Sequence, residues 1–337
     1  MPDQDASLIA TRHGPVGHLL MNRPRTLNAL DLSMIEGFTA ALADWQTDPH
    51  LRLVLLEGAG GRAFCAGGDV RRVRELVLAG DRAGVEAFFA AEYAVNGAIA
   101  AFPLAWVSLI DGVCMGGGLG VSVHGSHRIV TEKAMLAMPE TAIALFPDVG
   151  TSHVLPRLDS SGAMGRWLAV TGARLSGAEA VEAGLATHFV PSERLEPLRA
   201  ALFAEGDAAQ VKNFARPVPP GRIAALRPAI ERCFGSEHRA GIEAALEAEE
   251  EEAGWAAEQL AILRRVSPTS VAVTLELLRR AATLDLPHCL ELELALTRNV
   301  TAHPDFAEGV RALLVDKDNA PRWQPAPDAR ALAALFE

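Results

Sequence analysis

Two glycine-rich stretches constrain this chain more than any other feature: Phe64-Cys65-Ala66-Gly67-Gly68-Asp69 and Gly116-Gly117-Gly118-Leu119-Gly120. Each follows an apolar run that reads as a strand, Leu51 to Leu56 before the first and Trp106 to Ile110 before the second. After each comes sequence able to form a helix, Asp69 to Leu76 and Gly120 to His124. A strand that breaks on glycine and restarts as a helix, twice, predicts an α/β fold with bare backbone at two element ends. Glycine lets main-chain N–H groups approach a ligand unobstructed, and an N–H at a helix start is polarised toward negative charge. Two such segments converging on one oxygen atom would make an oxyanion hole. No G-x-G-x-x-G register fits here, because Val121 and Ser122 stand where it needs glycine, and no G-K-[ST] follows. The glycines therefore do not read as a nucleotide phosphate cradle.

Downstream lies Ala137-Met138-Pro139-Glu140-Thr141-Ala142-Ile143-Ala144-Leu145-Phe146-Pro147-Asp148-Val149-Gly150, with two carboxylates in an otherwise apolar stretch. Desolvation raises a carboxylate's pKa, and two acids facing one cavity can divide the roles of base or nucleophile and proton donor. The plainer alternative is that Glu140 caps a helix behind Pro139 and Asp148 starts a turn. Cys65, Cys114, Cys233 and Cys289 have no C-x-x-C spacing, and the apolar company of the first two reads as small buried residues in a reducing compartment. The histidines at 124, 127, 153 and 188 form no H-E-x-x-H pattern, so no metal is expected.

With 337 residues, half of them apolar, the chain can bury a large core. A net charge of −11 argues against nonspecific nucleic-acid binding. The start Met1-Pro2-Asp3-Gln4-Asp5 has no basic leader, and the longest apolar run, Ala98 to Val107, is too short to span a bilayer and contains Pro103. A cytoplasmic protein with no membrane partner is the expectation. Strand signals all but vanish beyond Val190, which divides the chain into residues 1–190 and a mainly helical region, 191–337. Ser267-Pro268-Thr269-Ser270 has the form of a helix start, and Ala244 to Leu263 reads as one helix with Glu249 to Glu252 on a solvated face.

These motifs carry a resemblance. Met21-Asn22-Arg23-Pro24, Leu27-Asn28-Ala29-Leu30, the two glycine stretches, Met138-Pro139-Glu140-Thr141, Leu155-Pro156-Arg157-Leu158 and Gly184 to Val190 together resemble the crotonase (enoyl-CoA hydratase/isomerase) superfamily. Leu145-Phe146-Pro147-Asp148-Val149-Gly150 and a late block, Phe306 to Ala312 with Asp316-Lys317-Asp318, are typical of its 3-hydroxyisobutyryl-CoA hydrolase branch. The resemblance implies a crotonase-like spiral of repeated ββα units over residues 1–190, with a C-terminal helical region. It implies an acyl-CoA substrate, a coenzyme A that belongs to the substrate with no further cofactor, and a possible homo-oligomer.

Carried over residue by residue, the resemblance implies that the N–H groups of Gly68 and Gly117 hold the thioester oxygen and that Glu140 is catalytic. Hydratases of the superfamily carry a second glutamate twenty residues earlier, where this chain has Gly120, and Asp148 supplies a different second acid. Thioester hydrolysis is the reading this favours, with Glu140 attacking the carbonyl or activating water. Arg25, Ala66, Asp69, Gly116 and Gly120 would contact the acyl-CoA, with Arg25 placed first among Arg25, Arg62, Arg71 and Arg72 to meet its anionic tail. Two alternatives stay open: hydration or isomerisation of another short acyl-CoA, and an inert acyl-CoA-binding protein.

Overall fold

The computed structural model describes residues 6–337; the acidic start on which the absence of a leader was read, residues 1–5, lies outside them. The chain forms two compact units, each assembled from three stretches. The first takes residues up to 68 with 94–136 and 174–222, and the second takes 69–93, 137–173 and 223–337.

The first unit holds the strands. β1 (Leu8–His13) and β2 (Val16–Met21) are antiparallel, and α1 (Leu32–Trp45) follows, capped by Asp31, which accepts from the Met34 N–H. Met34, Ile35, Phe38, Ala41, Leu42 and Trp45 recur at helical spacing, so one stripe of α1 is buried. The next strands come in pairs: β3 (Leu53–Gly58) with β4 (Ala63–Cys65), then β5 (Ala105–Ile110) with β6 (Val113–Met115), then β7 (His127–Val130) with β8 (Met135–Ala137). In each pair the first strand joins a six-stranded sheet ordered β1-β2-β3-β5-β7-β10. The second joins a four-stranded sheet ordered β4-β6-β8-β9. β9 (Leu175–Ser176) and β10 (His188–Phe189) close the series around α7 (Gly177–Glu182). From β2 to β10 the large sheet is parallel, and Leu53, Val54, Leu55 and Leu56 of β3 are fully buried on both faces, as a central parallel strand requires. Helices follow the pairs: α2 (Val70–Leu78) and α3 (Arg82–Ala100) after β4, and α4 (Gly117–Val123) after β6.

The second unit is helical. After β8 the chain makes a 3-10 turn at Glu140–Ile143, then α5 (Thr151–Val154) and α6 (Ala163–Thr171). Beyond the last strand come α8 (Leu195–Glu205) and α9 (Val211–Phe214), which belong to the first unit. Then follow α10 (Ile223–Cys233), α11 (Arg239–Ala248), α12 (Ala253–Arg265), α13 (Pro268–Ala281), α14 (Leu286–Ala302), α15 (Pro304–Val310) and α16 (Ala329–Ala334). Ser267 caps α13 as its sequence predicts, accepting from the Ser270 N–H with Pro268 in the first turn.

One expected helix does not exist. Residues 244–263 are broken at 249–252, where Glu249 is extended and its carboxylate takes two donors from Arg232, at 2.9 and 2.8 Å. The glutamate run is a corner between α11 and α12. An arginine on α10 draws Glu249 out of helical geometry, and four like charges in succession add no side-chain support to a continuous helix there. Among the described residues no helix is long and apolar enough to cross a membrane.

Candidate active site

In the first unit the two glycine segments come into backbone contact. Gly67 sits at φ +109°, and a Cβ there would lie 3.3 Å from the Met115 carbonyl oxygen and 3.7 Å from the Gly117 nitrogen. Gly118 is tighter still, since a Cβ on it would stand 2.4 Å from the Cys65 carbonyl oxygen. A side chain at either place would push the segments apart.

Local hydrogen bonds fix the first segment. The Ala66 N–H donates to Leu27 O at 3.0 Å, and the Leu30 N–H donates to Gly67 O at 2.8 Å. Asn28, fully buried, accepts from the Arg23 N–H and donates to the carbonyls of Ala59 and Ala63. The Leu27-Asn28-Ala29 motif is thus a brace for the glycine turn. Leu27 and Asn28 take positive φ, 54° and 57°, to make it. In the second segment Gly116 (φ 47°) leads into α4, and Gly117 is the helix's first residue, with an N–H that has no acceptor in its own helix.

The second unit gathers carboxylates. Glu140 opens the 3-10 turn and Asp148 closes the loop after it, where the Asp148 carbonyl accepts from the Thr151 N–H at 2.9 Å. The plainer alternative therefore holds for the Asp148 turn but not for Glu140, which makes no side-chain cap, and both side chains are buried, with residue exposures of 6% and 4%. Tyr93 donates its hydroxyl to Asp148 Oδ2 at 2.7 Å. Glu92, beside it on α3, is buried, and the Oε1 of Glu92 and the Oε2 of Glu140 have no hydrogen-bond partner. A fourth acid, Glu293 of α14, is fully buried and accepts from the N–H groups of Gly150 and Ser152 and from the Ser152 hydroxyl.

Burial dominates the chemistry of this cluster. Desolvation, then the neighbouring Asp148 charge, holds the Glu140 carboxyl well above the usual range, with Glu92 adding to the push. The same two causes raise Glu92. Asp148 rises only to about 6, because the Tyr93 hydroxyl stabilises its charged form against burial. Glu293 is pushed up to about 8 by burial and by Asp148, against three donors that favour its anion. Asp148 is thus the readiest of these acids to ionise. The loop is also strained: Val149 takes φ 55°, a left-handed conformation costing a branched residue about 1–3 kcal/mol, and Gly150 follows at φ 77°.

The late sequence block has a structural part. Gly309 of α15 lies against the Glu140 turn, where a Cβ would stand 2.7 Å from the Ile143 backbone. Arg311 is held by Glu308, Asp316 and Asp318 at 2.6–2.8 Å.

Each predicted site residue now has a place. Glu140 and Asp148 share the buried cluster of the second unit, while Gly68, Gly116, Gly117 and Gly120 belong to the glycine segments of the first. Gly68 forms a single parallel bridge with Leu30. The Ala66 and Gly120 N–H groups are spent on Leu27 O and Gly116 O, so neither offers a backbone donor to a ligand. Asp69 caps α2 by accepting from the Arg72 N–H. Arg25 stands exposed on the 24–26 turn, and Arg62, Arg71 and Arg72 are exposed as well.

Sequence reasoning missed Glu92, Tyr93 and Glu293. Their signal was an acid at a core position of an amphipathic helix. Glu92 follows Phe88 and Phe89 at helical spacing, and Glu293 shares the buried stripe of Leu290, Leu296 and Val300.

A model of the enoyl-CoA hydratase/isomerase family matches residues 16–334. The chain is 40% identical over 335 residues to a rat (Rattus norvegicus) protein named 3-hydroxyisobutyryl-CoA hydrolase, mitochondrial, covering 96% of this chain and 86% of that one. A relative of the same name from Xenopus laevis is 41% identical, covering 96% and 85%. A solved structure titled an enoyl-CoA hydratase, from Rhodobacter sphaeroides, matches with a TM-score of 0.91 at 40% identity, over 98% of this chain and 97% of that one. One titled a carnitinyl-CoA dehydratase, from Mycobacterium thermoresistibile, has the same TM-score at 37% identity, over 98% and 96%.

Proposed function

The chain belongs to the enoyl-CoA hydratase/isomerase family, with its crotonase fold, and we propose that it hydrolyses a short branched hydroxyacyl-CoA thioester, foremost 3-hydroxyisobutyryl-CoA. One observation carries the reading: Glu140 and Asp148 lie together in a desolvated cluster of a chain whose residue 120 has no side chain. The hydrolases named among its relatives support the acyl group, and on that basis the reaction belongs to valine breakdown.

In the proposed reaction, the N–H groups of Gly68 and Gly117 take the charge that develops on the thioester oxygen. The Glu140 carboxylate attacks the carbonyl carbon, the C–S bond breaks and CoA leaves as thiolate. Water then cleaves the mixed anhydride, returning the carboxylate and releasing the hydroxy acid. In the alternative route Glu140 takes a proton from a water that attacks directly. Either route needs Glu140 ionised, and burial holds its carboxyl high, so the rate rises with pH above the ordinary carboxylate range. Asp148, ionised above about pH 6, orients the substrate hydroxyl or the water; in its protonated form it passes a proton to the thiolate instead. The four cysteines are buried thiols, in keeping with a reducing compartment, and the cytosol is the one proposed.

The activities named for the two similar structures favour a second reading, addition or loss of water at a double bond. In this family that chemistry uses a pair of glutamates, and Gly120 leaves this chain one short. The deciding experiment follows free-thiol release from 3-hydroxyisobutyryl-CoA, with crotonyl-CoA hydration in parallel, for wild type, Glu140→Gln and Asp148→Asn. Thiol release that collapses in both variants, without hydration, is the expected result. Hydration without thiol release would sink the proposal.

A further inference from the structure

The proposed reaction uses Glu140 and Asp148, but the most heavily hydrogen-bonded acid of the cluster is neither. Glu293 lies on α14, far along the chain from the Asp148 loop, and is fully buried. Its Oε2 accepts from the Gly150 N–H at 2.8 Å, and its Oε1 accepts from the Ser152 N–H at 3.3 Å and the Ser152 Oγ at 2.5 Å. All three donors come from the three residues that begin two positions after Asp148. Between them and Asp148 sits Val149, held at φ 55°. A branched side chain keeps such a conformation only where its surroundings over-determine it. Glu293 supplies that determination from outside the loop, while the Asp148 carbonyl is tied within it to the Thr151 N–H and hydroxyl at 2.9 and 2.7 Å. What the strained turn delivers is the Asp148 side chain, set 2.7 Å from the Tyr93 hydroxyl.

We propose that Glu293 is a positioning residue for Asp148: its carboxyl oxygens grip Gly150 and Ser152 and so hold the Val149-Gly150 turn in the conformation that aims the Asp148 side chain. It acts through the backbone and transfers no proton in the reaction. Glutamine at this position keeps the shape but offers one acceptor oxygen in place of two, so one of the grips is lost. Removing the Cβ branch at Val149 lowers the cost of positive φ and makes the grip less necessary.

The inference rests on the thioester reading for its kinetic arm. The test measures thiol release from 3-hydroxyisobutyryl-CoA by the full chain carrying Glu293→Gln, Val149→Gly, or both, with hydrogen exchange at the Gly150 and Ser152 amides. Glu293→Gln should lower kcat by about 10- to 100-fold with KM changed by no more than about 3-fold, since a displaced catalytic group costs rate more than binding. It should also speed exchange at both amides. Adding Val149→Gly should return kcat by at least about 3-fold, a rescue that a residue serving only fold stability or carrying a catalytic proton would not show. An unchanged kcat in folded Glu293→Gln, or a double variant no faster than the single, overturns the proposal. Should Glu293→Gln fail to fold, Ser152→Ala removes one donor from the grip, and an unchanged kcat there overturns it equally. A wild type that releases no thiol breaks the thioester reading alone. In that event exchange decides the clamp: protection that Ser152→Ala lowers at Gly150 upholds it, and protection that stays equal overturns it.

Discussion

The glycine segments of the first unit and the carboxylate cluster of the second are built in opposite ways. The first is backbone laid against backbone: Gly67 meets Met115 and Gly117, Gly118 meets Cys65, and there is no room for even a methyl group at the closest contact. The second is made of side chains from the Glu140 turn, the Asp148 loop, α3 and α14, buried at an electrostatic cost that raises their pKa values. A backbone site fails by losing its fold, and a buried acid site fails by losing its charge. The two regions should therefore break differently.

The largest effect separates them most sharply. Glu140→Gln should cut thiol release by about 10³-fold or more, and Asp148→Asn by about 10²-fold, in steady-state assays. The melting temperature of Glu140→Gln should hold or rise, because a neutral isostere replaces a buried carboxyl with an unpartnered oxygen, and that of Asp148→Asn should hold, because the amide oxygen still accepts from Tyr93. A fall of many degrees in either variant would erase the contrast. Next comes Gly118→Ala, whose new Cβ meets the Cys65 carbonyl at 2.4 Å. Overpacking of this kind costs about 1–3 kcal/mol, read as a lower denaturant midpoint together with weaker activity.

A pH series sharpens the other side. Glu293 titrates at about 8 in the fold, above an unfolded glutamate, so folding binds a proton between those values. That contribution to stability is fully present below the unfolded pKa and is lost as pH rises through 8. Chemical denaturation at pH 6 and pH 9 should show the wild type losing more stability than Glu293→Gln; equal losses would mean the acid is charged throughout. The smallest effect is expected at Arg25→Ala. An exposed guanidinium meeting an anionic tail should change KM by only about 2- to 5-fold, and less at high salt.

The same contrast explains what the sequence made legible. A backbone site must be written as contiguous glycines, so Gly67-Gly68 and Gly116-Gly117-Gly118 were readable without a structure, and so was the strand-then-helix pattern around them. Glu140 and Asp148 stood out because their neighbours in the chain are apolar. Glu92, Tyr93 and Glu293 did not, since a lone acid on a helix is ordinarily solvated and only packing reveals that its face is inward. The Glu249 corner was hidden for the converse reason: its partner Arg232 lies on another helix, and local pattern favoured a continuous one. The brace that ties the Ala66 N–H to Leu27 O was hidden too, a pairing between segments that no local motif announces.

The formal charge of −11 counts all 42 acids as ionised. Glu293, pushed up to about 8, is largely protonated at neutral pH, and burial shifts Glu92 and Glu140 in the same direction. The cluster is therefore a small proton store, and the molecule an anionic ligand meets is less repulsive than its composition implies. Any event that changes the charge or water content around these three acids must exchange protons with the buffer. Heat measured for such an event then depends on the ionisation enthalpy of the buffer chosen.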